Sequence, residues 1–430
     1  MIAVKKIKNL FAIKFVEDTS FTIVSHFIVG ISGLFINTLI GNHFGVENLG
    51  IINQGLAIYI ILALVSNFGI QTSAQKYTSQ YVENDDLIKV IFSNALIATL
   101  LSSCVIVFSF LLLLRFIPNI ISSEVLRDII KILIFGVPLF ALNKTINNFL
   151  TGLREMKIYS IVRVIRWSTI MLLVVYVRLA DLPFKSIAYS FICSEVLIFF
   201  YFFIKTRKYC GKIDFKWVYK HLSFGIKSIM TEFLVTFNTK ISILIIGFSL
   251  GDEVAGYYSF IEVFAFSILM ISAALQKNFN PIFTKLWYEN NFPAIRSKIR
   301  QVFSISSLIL LPILVGIYVF YYVYTKTMMT DDYLDYSLVL IVLLIGVGIR
   351  FLFAPFFTFL IMANYLYANF IRVAIYAIIN ISLLIIFPKL FGLIGVPIAY
   401  IISLIFDILV SNYLYIKKLD LNFYRILFKK

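Results

Sequence analysis

The sequence predicts an all-α polytopic membrane protein with about twelve transmembrane helices in two parallel six-helix bundles. Three observations carry this. Of the 430 residues, 61% are hydrophobic, with a mean hydropathy of +0.95, well above the roughly 45–50% apolar usage of soluble domains. Apolar runs of about 20 residues recur along the chain, long enough to cross about 30 Å of hydrocarbon. A motif also occurs twice. Ile40-Gly41, Gly45, Glu47 and Gly50 return as Ile246-Gly247, Gly251, Glu253 and Gly256, at one offset of 206, and Ile187-Ala188-Tyr189 returns as Ile398-Ala399-Tyr400 at an offset of 211. The chain is therefore read as two related halves. Internal repeats in a membrane chain point to a transporter, whose site forms between the repeats.

The spans follow in order. The first, 18–40, ends at the first glycine motif, and 49–70 begins beyond it. The third, 90–117, encloses Cys104; the fourth and fifth take 130–152 and 158–179; the sixth, 186–204, encloses Cys193. A basic stretch, Lys205 to Lys220, separates the halves. Spans seven to twelve take 222–248, 254–276, 301–324, 334–361, 367–387 and 391–415. The expected organisation is an N-terminal bundle 1–204, a basic linker 205–221, a C-terminal bundle 222–416 and a basic tail 417–430.

Charge sets the expected orientation. Lys5, Lys6, Lys8 and Lys14, the linker cations Lys205, Arg207, Lys208, Lys212, Lys216 and Lys220, then Lys285, Arg296, Lys298 and Arg300, and finally Lys417, Lys418, Arg425, Lys429 and Lys430 all fall on one side if spans alternate. The opposite loops hold Arg127, Lys185, Lys326 and Lys389 with acidic Asp252, Glu253, Asp331, Asp332 and Asp335. The positive-inside bias then puts both termini in the cytoplasm. Six spans per half make the repeats parallel.

Several function classes drop out. The net charge of +16 could suggest nucleic acid, but the basic residues sit in short loops between spans. The three cysteines and His26, His43 and His221 are too scattered for a disulfide framework or a metal cluster. No cleavable signal peptide is expected, because the first span is too long. No loop is long enough to hold a folded catalytic module.

Gly41-Asn-His-Phe-Gly45-Val-Glu-Asn-Leu-Gly50-Ile, Leu222-Ser-Phe-Gly225-Ile, Gly251-Asp-Glu-Val-Ala-Gly256-Tyr-Tyr-Ser259 and Gly392-Leu-Ile-Gly395-Val-Pro-Ile-Ala399, in this order and spacing, resemble a family. It is the Wzx-type polysaccharide-unit flippases, the O-antigen translocases, of the multidrug/oligosaccharidyl-lipid/polysaccharide superfamily. The resemblance covers nearly the whole chain. It implies a MATE-like, V-shaped pair of six-helix bundles working by alternating access. The implied cargo is an undecaprenyl-diphosphate-linked oligosaccharide, for O-antigen, capsule or exopolysaccharide, moved from the cytoplasmic to the periplasmic leaflet of a bacterial inner membrane. A polysaccharide polymerase and a chain-length regulator are implied partners, beside the membrane lipids.

Charges inside spans are costly, by roughly 2.5–3.5 kcal/mol each on insertion scales, so each needs a partner, water or a task. Lys144, Asn147, Asn148 and Thr151 fall at i, i+3, i+4 and i+7, one polar stripe on a helix. This stripe is either a cavity wall or an interhelical hydrogen-bond seam. Tyr159, Arg163 and Arg166 share a face, and guanidinium forks suit phosphate; near the interface they could equally snorkel to headgroups. Span seven has two polar stripes, Lys227, Thr231 and Asn238 on one and Glu232, Thr236 and Lys240 on the other. Glu232 is expected either to pair with Lys240 or to titrate. Arg350 lies five residues before Pro355, a candidate kink. The expected cavity set is thus Lys144, Asn147, Asn148, Arg163, Arg166, Lys227, Asn238, Lys240 and Arg350. Glu195, Glu232, Glu262 and Asp407 are candidates for a coupling ion, H+ or Na+, and each could equally neutralise a neighbouring cation. Asp18, Thr22 and Ser25 share a face near the chain start but need no special role. Tyr321, Tyr322 and Tyr324 fit an interfacial belt. No catalytic residue, metal site or other cofactor is expected.

Six deep cations against four deep acids suit an anionic diphosphate. A multidrug exporter of the same superfamily is the first alternative, disfavoured because such proteins prefer cationic drugs. A membrane polysaccharide polymerase or ligase is a weaker one, because it would need a large outer loop with acid–base groups.

Overall fold

The computed structural model describes residues 2–117, 121 and 123–419, with side chains from Phe21 onward except Thr22, Ile23, Met156, Ala274, Lys277 and Asn278. The cations Arg425, Lys429 and Lys430, and the side chains of Lys5, Lys6, Lys8, Lys14, Asp18 and Thr22, lie outside the described residues.

Among the described residues the chain is all α-helical, with no strand. Apolar backbone in hydrocarbon must satisfy its own hydrogen bonds, and a helix does so within one segment. The first eight helices are α1 (Ile2–Phe44), α2 (Val46–Asn67), α3 (Ile70–Gln80), α4 (Asp85–Phe116), α5 (Glu124–Leu133), α6 (Val137–Gly152), α7 (Met156–Leu179) and α8 (Ile187–Thr206). The next eight are α9 (Phe215–Leu250), α10 (Asp252–Phe266), α11 (Ile268–Tyr288), α12 (Phe292–Met328), α13 (Asp332–Asp335), α14 (Ser337–Met362), α15 (Leu366–Phe391) and α16 (Gly395–Leu419).

The second set repeats the first, helix for helix. The repeat extends to hydrogen bonds at helix ends. Where α6 stops, Arg154 takes φ 64° and the Glu155 amide donates to the Leu150 carbonyl at 2.9 Å. Where α14 stops, Asn364 takes φ 65° and the Tyr365 amide donates to the Leu360 carbonyl at 2.8 Å. Both are Schellman closures built on a left-handed residue.

Ten stretches of the described residues are long and apolar enough to cross a membrane. One of them, Leu366–Leu419, contains both α15 and α16. The fourth expected span is broken into α5 and α6 by a 3-10 turn at Ile134–Gly136, with Pro138 opening α6, and so falls short as a single helix. With these two counted, the twelve expected spans are recovered. The membrane helices also run past the expected limits: α9 and α12 are 36 and 37 residues long. Polar caps mark such extended ends, with the Asn291 side chain accepting from the Ala294 amide at 3.1 Å and that of Asn84 from Leu87 at 3.0 Å.

The chain divides into two compact units, one of Met1–Phe44 and Ile51–Phe233, the other of Gly45–Gly50 and Leu234–Lys430. The division falls inside α9, just after Glu232. In the first unit α1 packs on α7, and α6 on α3 and α4; its core gathers Ile70, Phe92, Phe149, Ile198 and Phe202. In the second unit α14 packs on α11, α12 and α16, around Phe283, Phe356, Phe359 and Tyr415. Tyr321, expected in an interfacial belt, is instead fully buried and donates to the Tyr333 carbonyl at 2.5 Å. A buried phenol needs such an acceptor.

The glycine motif explains the short segment Gly45–Gly50. Gly45 and Gly251 both take positive φ, 90° and 100°, where α2 and α10 begin, a conformation that glycine alone adopts cheaply. One turn on, the backbones touch reciprocally. A Cβ on Gly50 would overlap the Asp252 carbonyl, and a Cβ on Gly256 would overlap the Val46 carbonyl. Val46 and Asp252 are themselves one repeat apart, so the contact is self-complementary.

Candidate functional site

In the first unit the polar stripe of α6 meets α3 and α9. Lys144 Nζ donates to Glu232 Oε1 at 2.7 Å, and Gln71 Nε2 donates to Glu232 Oε2 at 2.8 Å. Behind Gln71, Asn67 Oδ1 accepts the Gln71 amide at 2.9 Å, while Asn67 Nδ2 donates to the Ala141 carbonyl and to Thr145 Oγ1. Thr145 and Thr99 are hydrogen-bonded at 2.9 Å. The Glu232–Lys240 pairing is therefore replaced: the Glu232 carboxylate is occupied by Lys144 and Gln71. The pair keeps some access, with side-chain exposures of 27% for Lys144 and 38% for Glu232.

The rest of the stripe turns inward. Asn148 Nδ2 donates to the Lys144 carbonyl and Thr151 Oγ1 to the Asn147 carbonyl, both one turn back on α6. Asn147 Oδ1 is buried without a partner. Lys227 is exposed on α9 and forms no ion pair among the described residues.

The two arginines of α7 differ. Arg166 is committed: its Nε lies 2.7 Å from Glu195 Oε1, its Nη2 donates to Glu195 Oε2 at 3.0 Å, and its guanidinium covers the Phe140 ring at 4.8 Å. Asn143 Nδ2 donates to the same Glu195 Oε2 at 2.9 Å. Glu195 thus sits fully buried between α6, α7 and α8 with its charge matched. Arg163 has no carboxylate among the described residues. It donates to His26 Nε2 at 2.8 Å and lies 5.6 Å from the Tyr159 ring.

The second unit has a parallel pair on the corresponding helices. Arg372 of α15 donates to both oxygens of Asp407 of α16 at 2.8 Å and is braced by Asn369 Oδ1. Sequence reasoning passed over Arg372; the available signal was the Asn369/Arg372 spacing of three, which puts both on one face of span eleven, opposite the acid of span twelve. Arg350 of α14 has Tyr400, Tyr376 and Asp407 as its electrostatic neighbours. Asn238 Oδ1 accepts from Asn380 Nδ2 at 3.0 Å, both side chains buried. Glu262 has Lys240 as its charged neighbour.

Three deep acids are thus ion-paired, Glu232 with Lys144, Glu195 with Arg166 and Asp407 with Arg372, and Glu262 has Lys240 as its charged neighbour. Arg163 and Lys227 remain without an acid among the described residues, and Arg350 shares Asp407 with Arg372. A separate cavity in the second unit lies beside Pro355, lined by Ser272, Gln276, Asn280, Ser306 and Phe351. None of the expected cavity residues borders it. Among the described residues, no three His, Cys, Asp or Glu side chains converge as a metal site would require.

The fold and the buried ion pairs define a class, an all-helical polytopic membrane protein built from a repeated set of eight helices. Solved structures share this fold. The chain is similar to the inward-facing conformation of a multidrug resistance MATE family transporter of the MOP superfamily, with TM-score 0.76 and 12% identity over 92% of this chain and 98% of that one. It is similar to the lipid II flippase MurJ in its inward closed conformation, with TM-score 0.75 and 18% identity over 91% and 86%. It is also similar to the outward-facing conformation of a multidrug resistance MATE family transporter, with TM-score 0.64 and 14% identity over 94% of each chain. No curated protein matches the chain by sequence. A family model, polysaccharide biosynthesis protein, matches residues 15–288, and the chain belongs to that family.

Proposed function

We propose that the protein is a flippase that moves undecaprenyl-diphosphate-linked oligosaccharide units from the cytoplasmic to the outer leaflet of a bacterial inner membrane by alternating access. The observation that carries this is the charge balance. Four deep acids face seven deep cations, with Arg350 sharing Asp407 with Arg372 and with Arg163 and Lys227 lacking any acid among the described residues, so positive charge is left over. A membrane protein retains uncompensated intramembrane cations at a cost, and an anionic cargo supplies the missing charge. Membership of a polysaccharide-biosynthesis family supports a glycan cargo. The likeness in fold to a lipid II flippase supports a lipid-linked one.

An anion moving outward against an inside-negative potential goes downhill by roughly 2.3 kcal/mol per charge per 100 mV, so the potential assists export. Both termini are cytoplasmic in this reading. Of the four candidate coupling acids, Glu232 is the best placed, because it alone combines a cation partner with substantial exposure. The likeness to multidrug transporters favours drug export as the second reading; the surplus of deep cations argues against cationic drugs.

Complementation tests the proposal. In a strain lacking its own flippase, the wild-type chain restores surface glycan, while Lys144→Ala and Arg350→Ala lower it at equal protein level. Drug sensitivity on deletion with normal surface glycan would establish the second reading instead.

A further inference from the structure

The stretch between α8 and α9 is strapped down along its length. The Gly211 amide donates to Ser93 Oγ at 2.7 Å. Asn94 Nδ2 donates to the Lys212 carbonyl at 3.1 Å, and its Oδ1 accepts from the Asp214 amide at 2.8 Å. A Cβ on Gly211 would overlap Lys89, so this approach needs glycine. Further on, Lys220 Nζ sits inside three rings, 3.9 Å from the Trp217 centre, 4.5 Å from Tyr77 and 5.7 Å from Tyr81. Cation–π attraction holds it there. His221 Nδ1 and Ser73 Oγ are hydrogen-bonded at 2.8 Å, fully buried. Contacts from α4 fix the start of the strap and contacts from α3 fix its end.

What the strap presents outward is a mixed array. Lys205, Arg207, Lys208, Lys212 and Lys216 are exposed. Ile213 and Phe215 stand between them and Tyr219 just beyond, 61%, 72% and 74% exposed. The one acid, Asp214, is spent on the backbone, with Oδ1 accepting the Lys216 amide at 2.9 Å. Both ends of the strap issue from stretches of membrane-spanning length, Phe184–Tyr209 and Phe215–Leu250, so it lies where hydrocarbon gives way to headgroups.

We propose that residues 205–219 form a fixed binding surface for anionic phospholipids of the leaflet on which they lie, separate from the cargo-binding residues. Cations interleaved with apolar side chains match that boundary, the apolar groups entering the acyl edge and the ammonium and guanidinium groups meeting phosphates. The strap is ordered before any lipid arrives, so binding forfeits little conformational freedom. The withdrawal of Lys220 into its aromatic cage serves this order.

Native mass spectrometry of the purified full-length protein, with phosphatidylglycerol or phosphatidylcholine added, tests the proposal. The wild type should retain several-fold more phosphatidylglycerol than phosphatidylcholine. The exposed triple variant Lys208→Gln, Lys212→Gln, Lys216→Gln should lose that preference, with phosphatidylcholine retention and the thermal unfolding midpoint unchanged. Lys220→Gln keeps all five surface cations yet should also weaken phosphatidylglycerol retention, because the array loses its anchor. Equal phosphatidylglycerol retention by the triple variant would overturn the proposal, as would an equal loss of both lipids. Displacement of the lipid by inorganic diphosphate would also overturn it, marking the strap as a free-phosphate site.

Discussion

Arg372 Nη1 stands 2.8 Å from both carboxylate oxygens of Asp407, so a single nitrogen holds the acid from α15. Arg350 faces the same carboxylate from α14. Breaking a buried pair by removing one partner costs about 3–5 kcal/mol, and the two removals differ here. Arg372→Gln leaves Asp407 with Arg350. Asp407→Asn leaves two arginines and no acid. Thermal unfolding in detergent should therefore rank Asp407→Asn as the less stable variant; the reverse order would show that Arg350 does not serve Asp407.

Lys144 and Glu232 form a different kind of pair, partly exposed and shared with Gln71. Its loss should cost stability no more than about 1 kcal/mol. Lys144→Ala should lower glycan display strongly, because it leaves the Glu232 carboxylate without its cation and so repels an anionic cargo. Glu232→Gln keeps that cation and should be milder in binding of lipid-linked substrate. Surface glycan staining beside protein quantification separates the two effects.

The reciprocal contact at Gly50 and Gly256 predicts coupled mutants. Gly50→Ala and Gly256→Ala each push a methyl group into backbone, and overpacking of this kind costs about 1–3 kcal/mol. Both strain one crossing, so the double variant should lose less than the two losses added together. Unfolding midpoints of the three variants give the coupling directly.

Asp128 on α5 lies outside the expected spans, and Lys185 beside it, then Lys131, holds its carboxyl below the ordinary value of 3.8. A depressed carboxylate stabilises the fold above its unfolded value, and that contribution is lost as pH falls through the lowered one. Wild type and Asp128→Asn should therefore show a constant difference in thermal midpoint from pH 7 to pH 5. The difference should shrink as pH drops below 3.8. A difference that grows on acidification would contradict this assignment.

Much of the architecture was legible because hydrocarbon imposes a length and a polarity that need no tertiary knowledge. The spans, the repeat and the glycine turns came from such rules. What escaped was whatever depends on neighbours. α3 is short and polar enough to read as loop, yet its Ile70 and Ala74 sit in the core. Pairing with Lys240 on its own helix is one of the two sequence expectations for Glu232. It pairs instead with Lys144, 88 positions earlier, because packing brings α3 and α6 against that turn of α9. Arg372 was missed for the same reason: only its partner on α16 makes it notable.

The two buried arginine–carboxylate pairs share a topological property. Arg166 and Glu195 stand on α7 and α8, and Arg372 and Asp407 on α15 and α16. In each case the partners belong to consecutive helices joined by a short turn. During synthesis such a hairpin can enter the bilayer as one piece with its charge already cancelled, where an arginine arriving alone would meet an insertion cost of about 2.5–3.5 kcal/mol. Lys144 has no such companion and must wait for α9 to be made. The order in which the ribosome delivers these helices thus separates charges that help the chain enter the membrane from those that must be held until the second half of the chain has begun.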